Sequence, residues 1–230
     1  TFVCNGYIGV KAAEVFLNRL ASKAEAKGRT DISACAGIAL IKPKYPFYFG
    51  YQTALQACES AKHFIKDEPV YNALDFHIVH SNHIAPLSVT RREQYVNDDI
   101  NLLMRPYILL SSGEEAVEGT LRRHDIQAFY EVSRMIFREE NVRAKLKSIR
   151  NAYIMDKLDL QKAIKGLTNR KEGRNLIERI EKSLENYGFE RQYIGSYYEY
   201  QGDYEEGDLF RSILFDSLEY MDLYVDWGDE

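Results

Sequence analysis

Residues 32–41 (ISACAGIALI) constrain this chain more than any others, because only Ser33 and Gly37 interrupt their apolar side chains. A run this short cannot cross a bilayer, which needs about 20 residues. It lacks the polar–apolar alternation of a strand with one wet face. It therefore predicts a strand covered on both faces, which needs neighbouring strands beside it and helices above and below.

The flanking sequence offers both. Residues 1–5 (TFVCN) read as a further β-prone strand, ended by Gly6. Between residues 8 and 27, Val10, Ala13, Val15, Phe16, Leu20 and Ala21 recur every three or four positions, predicting a helix that stops at Gly28. Pro43 and Pro46 make residues 42–46 a loop. A second helix is predicted over residues 49–66, with Ala54, Leu55, Cys58, Ala61, Phe64 and Ile65 on one face, followed by a strand at residues 74–80 (LDFHIVH). Residues 86–119 are polar and irregular apart from the apolar piece LLMRPYILL. Beyond them the period is helical over residues 125–139, 142–155, 158–167, 173–187 and 209–224, with a tyrosine- and acid-rich loop at 193–208. The expected architecture is α+β: an α/β unit over residues 1–85, an irregular connector over 86–120 and a helical domain over 121–230. The abrupt start inside an apolar strand makes Thr1 a truncation point in this reading.

Composition narrows the function classes. Apolar residues make up 45% of the chain and charged residues 28%, as in an ordinary globular protein. No apolar run reaches membrane-spanning length, so a membrane partner is not expected. Three cysteines, an odd number, argue against a disulfide framework and for a reducing cytoplasm. The net charge of −5 weighs against a general nucleic-acid coat. Charge is unevenly spread: residues 121–150 hold eight Lys/Arg against four Asp/Glu, and residues 199–230 hold eleven acids against Arg211. Such a split suggests intramolecular docking or a partner.

Residues 31–66 (DISACAGIALIKPKYPFYFGYQTALQACESAKHFIK) carry a resemblance. The S-x-G-I-A-like strand, the Lys-Pro loop at 42–47 and the helix reaching Ala61-Lys62 resemble the nucleotide-cyclase palm family. That family includes diguanylate cyclases and the large polymerase subunit of type III CRISPR complexes. The Asp75-Phe76-His77 strand and the later pieces MRPY, RREQY, RAKLKSIRNAY and LFDSLEYMD look closer to the CRISPR-type second palm domain. The resemblance implies a partial ferredoxin-like palm with an antiparallel sheet, followed by the helical domain. It implies a parent enzyme of antiviral defence that makes cyclic nucleotides or oligonucleotides from ATP or a related triphosphate, using Mg²⁺ or Mn²⁺. The metals would be held by a Gly-Gly-Asp-Asp turn and a first-strand aspartate, neither of which is in this sequence. The Gly-Asp pairs at Gly202, Gly207 and Gly228, and Asp98-Asp99, lie in unsuitable contexts. The N-terminal palm half, with its central strand, is therefore expected elsewhere, and the isolated chain is expected to be inactive. The alternatives are an inactive palm-like scaffold that binds nucleotide or protein, and a module that binds RNA or an effector-complex protein.

Individual residues follow from these two lines of argument. The resemblance places Lys62 on the nucleotide triphosphate, with Lys66 one turn later, and a lysine point charge suits phosphate; the competing reading is a solvated helix-edge lysine. His77, His80 and His83 invite a metal reading, but spacings of three put successive strand side chains on opposite faces, which favours core or edge histidines. The basic stretch 143–150 (RAKLKSIR) could face phosphates, or answer the acidic C-terminal segment. Tyr197, Tyr198 and Tyr200 could stack bases or cap a core. Cys35 reads as inert packing.

Overall fold

The computed structural model describes residues 1–29, 31–66, 71–80, 84–97, 100–110, 119–155, 157–189 and 210–227. In chain order the elements are α1 (Gly9–Glu25), β1 (Cys35–Leu40), α2 (Phe47–Phe64), β2 (Asn72–Ile78), α3 (Leu87–Tyr95), β3 (Val96–Asn97), β4 (Ile100–Leu103) and β5 (Tyr107–Leu109). They continue with α4 (Ile126–Phe137), α5 (Arg143–Met155), α6 (Lys157–Thr168), α7 (Lys171–Glu185), β6 (Phe210–Ser212) and α8 (Ile213–Tyr220). The chain divides into one unit of Thr1–Thr90, Arg105–Val117 and His124–Ile126, and a second of Arg91–Met104, Glu118–Arg123 and Gln127–Glu230.

The first unit is built on a three-stranded sheet in the order β1–β2–β5. The helix α2 carries the chain from the end of β1 back to the start of β2, so these strands run parallel, with Cys35 opposite Ala73 and Leu40 opposite Ile78. β5 runs antiparallel on the other side of β2, with Leu74 opposite Tyr107. Helices cover both faces of β1. Gly37 and Ile41 face α2, and a side chain on Gly37 would collide with the Ala54 carbonyl oxygen and the Cys58 amide nitrogen. Ile38 and Leu40 face α1, where a Cβ on Gly9 would sit 3.6 Å and 3.7 Å from them. Gly37 therefore sets how closely α2 approaches the sheet.

The second unit packs α4 to α8 with a small sheet, β3–β4–β6. Ser212 caps α8 by accepting the Phe215 amide proton at 3.1 Å. The buried Asp216 accepts the Met104 N–H at 3.1 Å, and Tyr95 donates to the buried Glu219 at 2.6 Å. These long-range bonds tie the C-terminal helix to residues 95–104.

Four expectations need correction. The first sheet is mixed and not antiparallel, because a helix-length crossover between β1 and β2 returns the chain in the same direction. Residues 1–5 form no strand; Phe2 and Val3 are 60% and 76% exposed, so β-prone residues here find no ladder to stabilise them. The stretch 86–120 is not an irregular connector, since its described residues form α3 and β3 to β5 and contribute to both units. The C-terminal domain is not purely helical, because β6 pairs with β4. Strands of two to four residues carry too little periodicity to be read, and β6 meets its partner over a hundred positions away.

Candidate functional site

The site begins with small residues on α2. Gly50, Ala54 and Cys58 recur every four positions and so share one face. That face lies along β1 in the opposite direction: a Cβ on Gly50 would sit 2.8 Å from the Ile41 side chain, one on Gly37 would run into the Ala54 carbonyl, and the Cys58 thiol reaches the Cys35 carbonyl at 3.5 Å. Lys62 continues the same row one turn further, past Cys35 and so beyond the N-terminal end of β1. Burial pushes both the Cys35 and the Cys58 thiols up from their ordinary values, and neither is poised as a nucleophile. Cys4, in contrast, is exposed.

The two flanks of α2 differ. The Phe64 ring lies 4.5 Å from that of His124, and His124 hydrogen-bonds the Pro106 carbonyl at 2.8 Å beside β5. This flank therefore points toward the β5 side of the sheet. Leu55, nine residues from Phe64, lies on the opposite side of the helix at about 100° per residue, with Tyr51 and Lys62 near it. Tyr51 and Leu55 are 39% and 43% exposed, so Leu55 is not the buried face residue that the periodicity predicts. Together they overlook the outer edge of β1, which no strand pairs among the described residues.

Lys62 is the cation of this flank. It donates to Glu59 at 2.8 Å, and that hydrogen bond raises its ammonium above the ordinary lysine value. Both partners are more than half exposed, so the pair holds the lysine only weakly. Lys66 lies beyond the end of α2 and is exposed.

The other predicted residues fall elsewhere. His77 is buried in β2 and His80 is exposed after it, while His83 lies outside the described residues. Asp98-Asp99, the glycines 202, 207 and 228, and Tyr197, Tyr198 and Tyr200 also lie outside them. The basic stretch of α5 is answered by the acidic C-terminal segment: Arg143 and Lys147 both pair with Asp222, at 2.8 Å and 3.0 Å. Lys145 donates to the Gly166 carbonyl, and Arg138 pairs with Asp226 at 2.9 Å. Burial alone would raise Asp222, but hydrogen bonds from Arg143 and Lys147 outweigh it and hold the carboxyl below its ordinary value.

Among the described residues no cluster of three or more His, Cys, Asp or Glu side chains could hold a metal ion, so they do not fit the divalent pair that a palm enzyme uses. Nor is any described helix long and apolar enough to cross a membrane. No protein-family model matches the chain, and no curated protein matches it. What sequence reading missed is the overhanging flank. Its signal was the Gly50–Ala54–Cys58 row, which fixes the face that α2 turns to β1 and hence which apolar residues remain outside.

Proposed function

We propose that the first unit is the C-terminal part of a nucleotide-cyclase-type palm, and that Lys62 faces the triphosphate of a bound nucleotide, with ATP favoured. The observation that carries this reading is the place of Lys62: an exposed cation on the α2 flank that overlooks the edge of β1 left unpaired among the described residues, at the end marked by Cys35. A strand bearing acidic residues and lying along that edge would bring phosphate and lysine together there. The point charge of an ammonium at the end of a row of small residues suits a phosphate oxygen. In this reading the metal-holding carboxylates, and any Mg²⁺ or Mn²⁺, belong to polypeptide outside this sequence, and the second unit regulates the palm.

The test is nucleotide binding by the intact chain, followed by fluorescence anisotropy of labelled ATP, with AMP and adenosine as competitors. ATP should compete better than AMP, and Lys62→Ala should weaken ATP by about tenfold, the order expected for losing one charge-assisted hydrogen bond. Equal competition by ATP and adenosine, or an unchanged Lys62→Ala variant, would overturn the proposal. The chain alone should release no pyrophosphate from ATP with Mn²⁺, and release would overturn the assignment of the carboxylates to another segment.

A further inference from the structure

The contact between α2 and β1 holds two of the three cysteines. A Cβ on Gly37 would sit 2.2 Å from the Cys58 amide nitrogen and 2.8 Å from the Cys58 Cα. Cys35 lies two residues before Gly37 in the same strand and so presents its side chain to the same helix. The Cys58 side chain leans that way, because its thiol reaches the Cys35 carbonyl at 3.5 Å. A disulfide needs Cα atoms within about 7 Å, and the absent side chain of Gly37 is what lets α2 come so near. Both residues are partly covered and within reach of a small molecule. Cys4 stands apart: its sulfur lies 3.9 Å from where a Cβ on Gly9 would be, on the face of β1 that α1 covers.

From this geometry we infer that Cys35 and Cys58 are a dithiol site, which a small-molecule disulfide such as glutathione disulfide oxidises to an intramolecular bond that braces α2 against β1. One thiol loses its proton and attacks a sulfur of the glutathione disulfide, giving a mixed disulfide and a glutathione thiolate that takes up the proton. The second thiol then loses its proton, attacks the protein sulfur of that mixed disulfide and releases the second glutathione. The protein gives up two electrons and two protons, and the glutathione disulfide is reduced to two thiols. Burial makes both cysteines weak nucleophiles, so the oxidation is slow and the pair answers a sustained change in redox state. In a reducing compartment the site rests as two thiols. The two residues are 23 positions apart, so their bond closes a loop that contains the turn at 41–46 and most of α2. Closing that loop restricts the unfolded chain and stabilises the folded one. This inference does not use the nucleotide reading, and its test contains no nucleotide.

The test equilibrates the full chain carrying Cys4→Ser in glutathione buffers of graded ratio, followed by acid quench, intact mass and peptide mapping. As the disulfide form of glutathione comes to dominate, the protein should lose the mass of two hydrogen atoms. Mapping should then yield one cross-linked peptide joining Cys35 to Cys58, and dithiothreitol should reverse it. The cross-linked form should melt about 5 °C or more above the reduced form. Cys58→Ser in the same background should carry glutathione on Cys35 at most and show no such shift. Should that variant fail to fold, the mapping of the Cys4→Ser protein still decides, with a sample equilibrated in urea to show what the unfolded chain gives. Glutathione held on both cysteines without a cross-link, a cross-link no more resistant to reduction in the folded protein than in urea, or a cross-linked form that melts no higher than the reduced one would each overturn the inference.

Discussion

Two neighbouring strands of one sheet, β1 and β2, are both apolar in sequence yet differ in how they are finished. β2 has a strand on each side and is buried from Ala73 to Ile78, including Asp75. Among the described residues β1 has a strand on one side only, and it is half-covered until Leu40. Helices pack on both faces of β1, so the difference does not come from missing helices. It comes from the edge. A strand is covered by its lateral neighbours as much as by the layers above and below.

The comparison can be broken most severely at Gly37. Gly37→Val forces a side chain into the α2 backbone, and the cost should exceed about 4 kcal/mol, enough to prevent folding of the first unit. Loss of the cooperative thermal transition would show it, and a Tm close to that of the parent would mean that α2 does not rest on β1 as described. A smaller and more graded contrast separates the strands themselves. Phe76→Ala in β2 should cost about 3–5 kcal/mol. Ile38→Ala in β1 should cost only about 1–2 kcal/mol, because that side chain is partly wet already. Equal values in urea titrations would remove the distinction between a finished and an unfinished strand.

A still smaller effect is expected in the second unit. Asp222, held below its ordinary value when folded, contributes stability that is present above the unfolded carboxylate range near pH 4 and is lost as pH falls through the lower folded value. Asp222→Asn should remove about 0.5 kcal/mol at pH 7, as for other solvent-screened pairs, and flatten this acid limb. A pH series of Tm values on both proteins checks it. The last prediction leaves stability untouched. Iodoacetamide at neutral pH should modify the exposed Cys4 well before Cys35 and Cys58, whose thiols are raised by burial, and the lag should shorten as pH rises. Peptide mapping of the alkylated protein would read the order.

Lys62 and the basic helix α5 give the same lesson for charges. Both are cationic sites on helices: the family resemblance implied phosphate for Lys62, and the run of Arg and Lys suggested it for α5. Arg143 and Lys147 are answered by Asp222 from the C-terminal segment, which makes them structural. Among the described residues Lys62 is answered only by Glu59, three positions away on its own exposed turn, and a pair of that kind yields readily to a ligand. The acid excess of residues 199–230 pointed to such docking, but which cation meets which acid depends on chain paths that composition does not hold.

Where side-chain periodicity is long and regular, sequence was enough. It placed α1, α2, β1, β2 and the run of helices after residue 125 to within a few positions, because helix and strand periods are local properties of the chain. The small row Gly50–Ala54–Cys58, with Lys62 one turn beyond, is also in the sequence, but only the structure showed that it is the face α2 turns to β1. Only the tertiary structure decided that β1 and β2 run parallel, that residues 1–5 stay outside the sheet, and that β6 returns to β4. Strand pairing joins residues far apart, and its free energy depends on which edges happen to meet, so no window along the sequence contains it. The open side of β1 among the described residues is a property of that pairing and not of any residue in the strand.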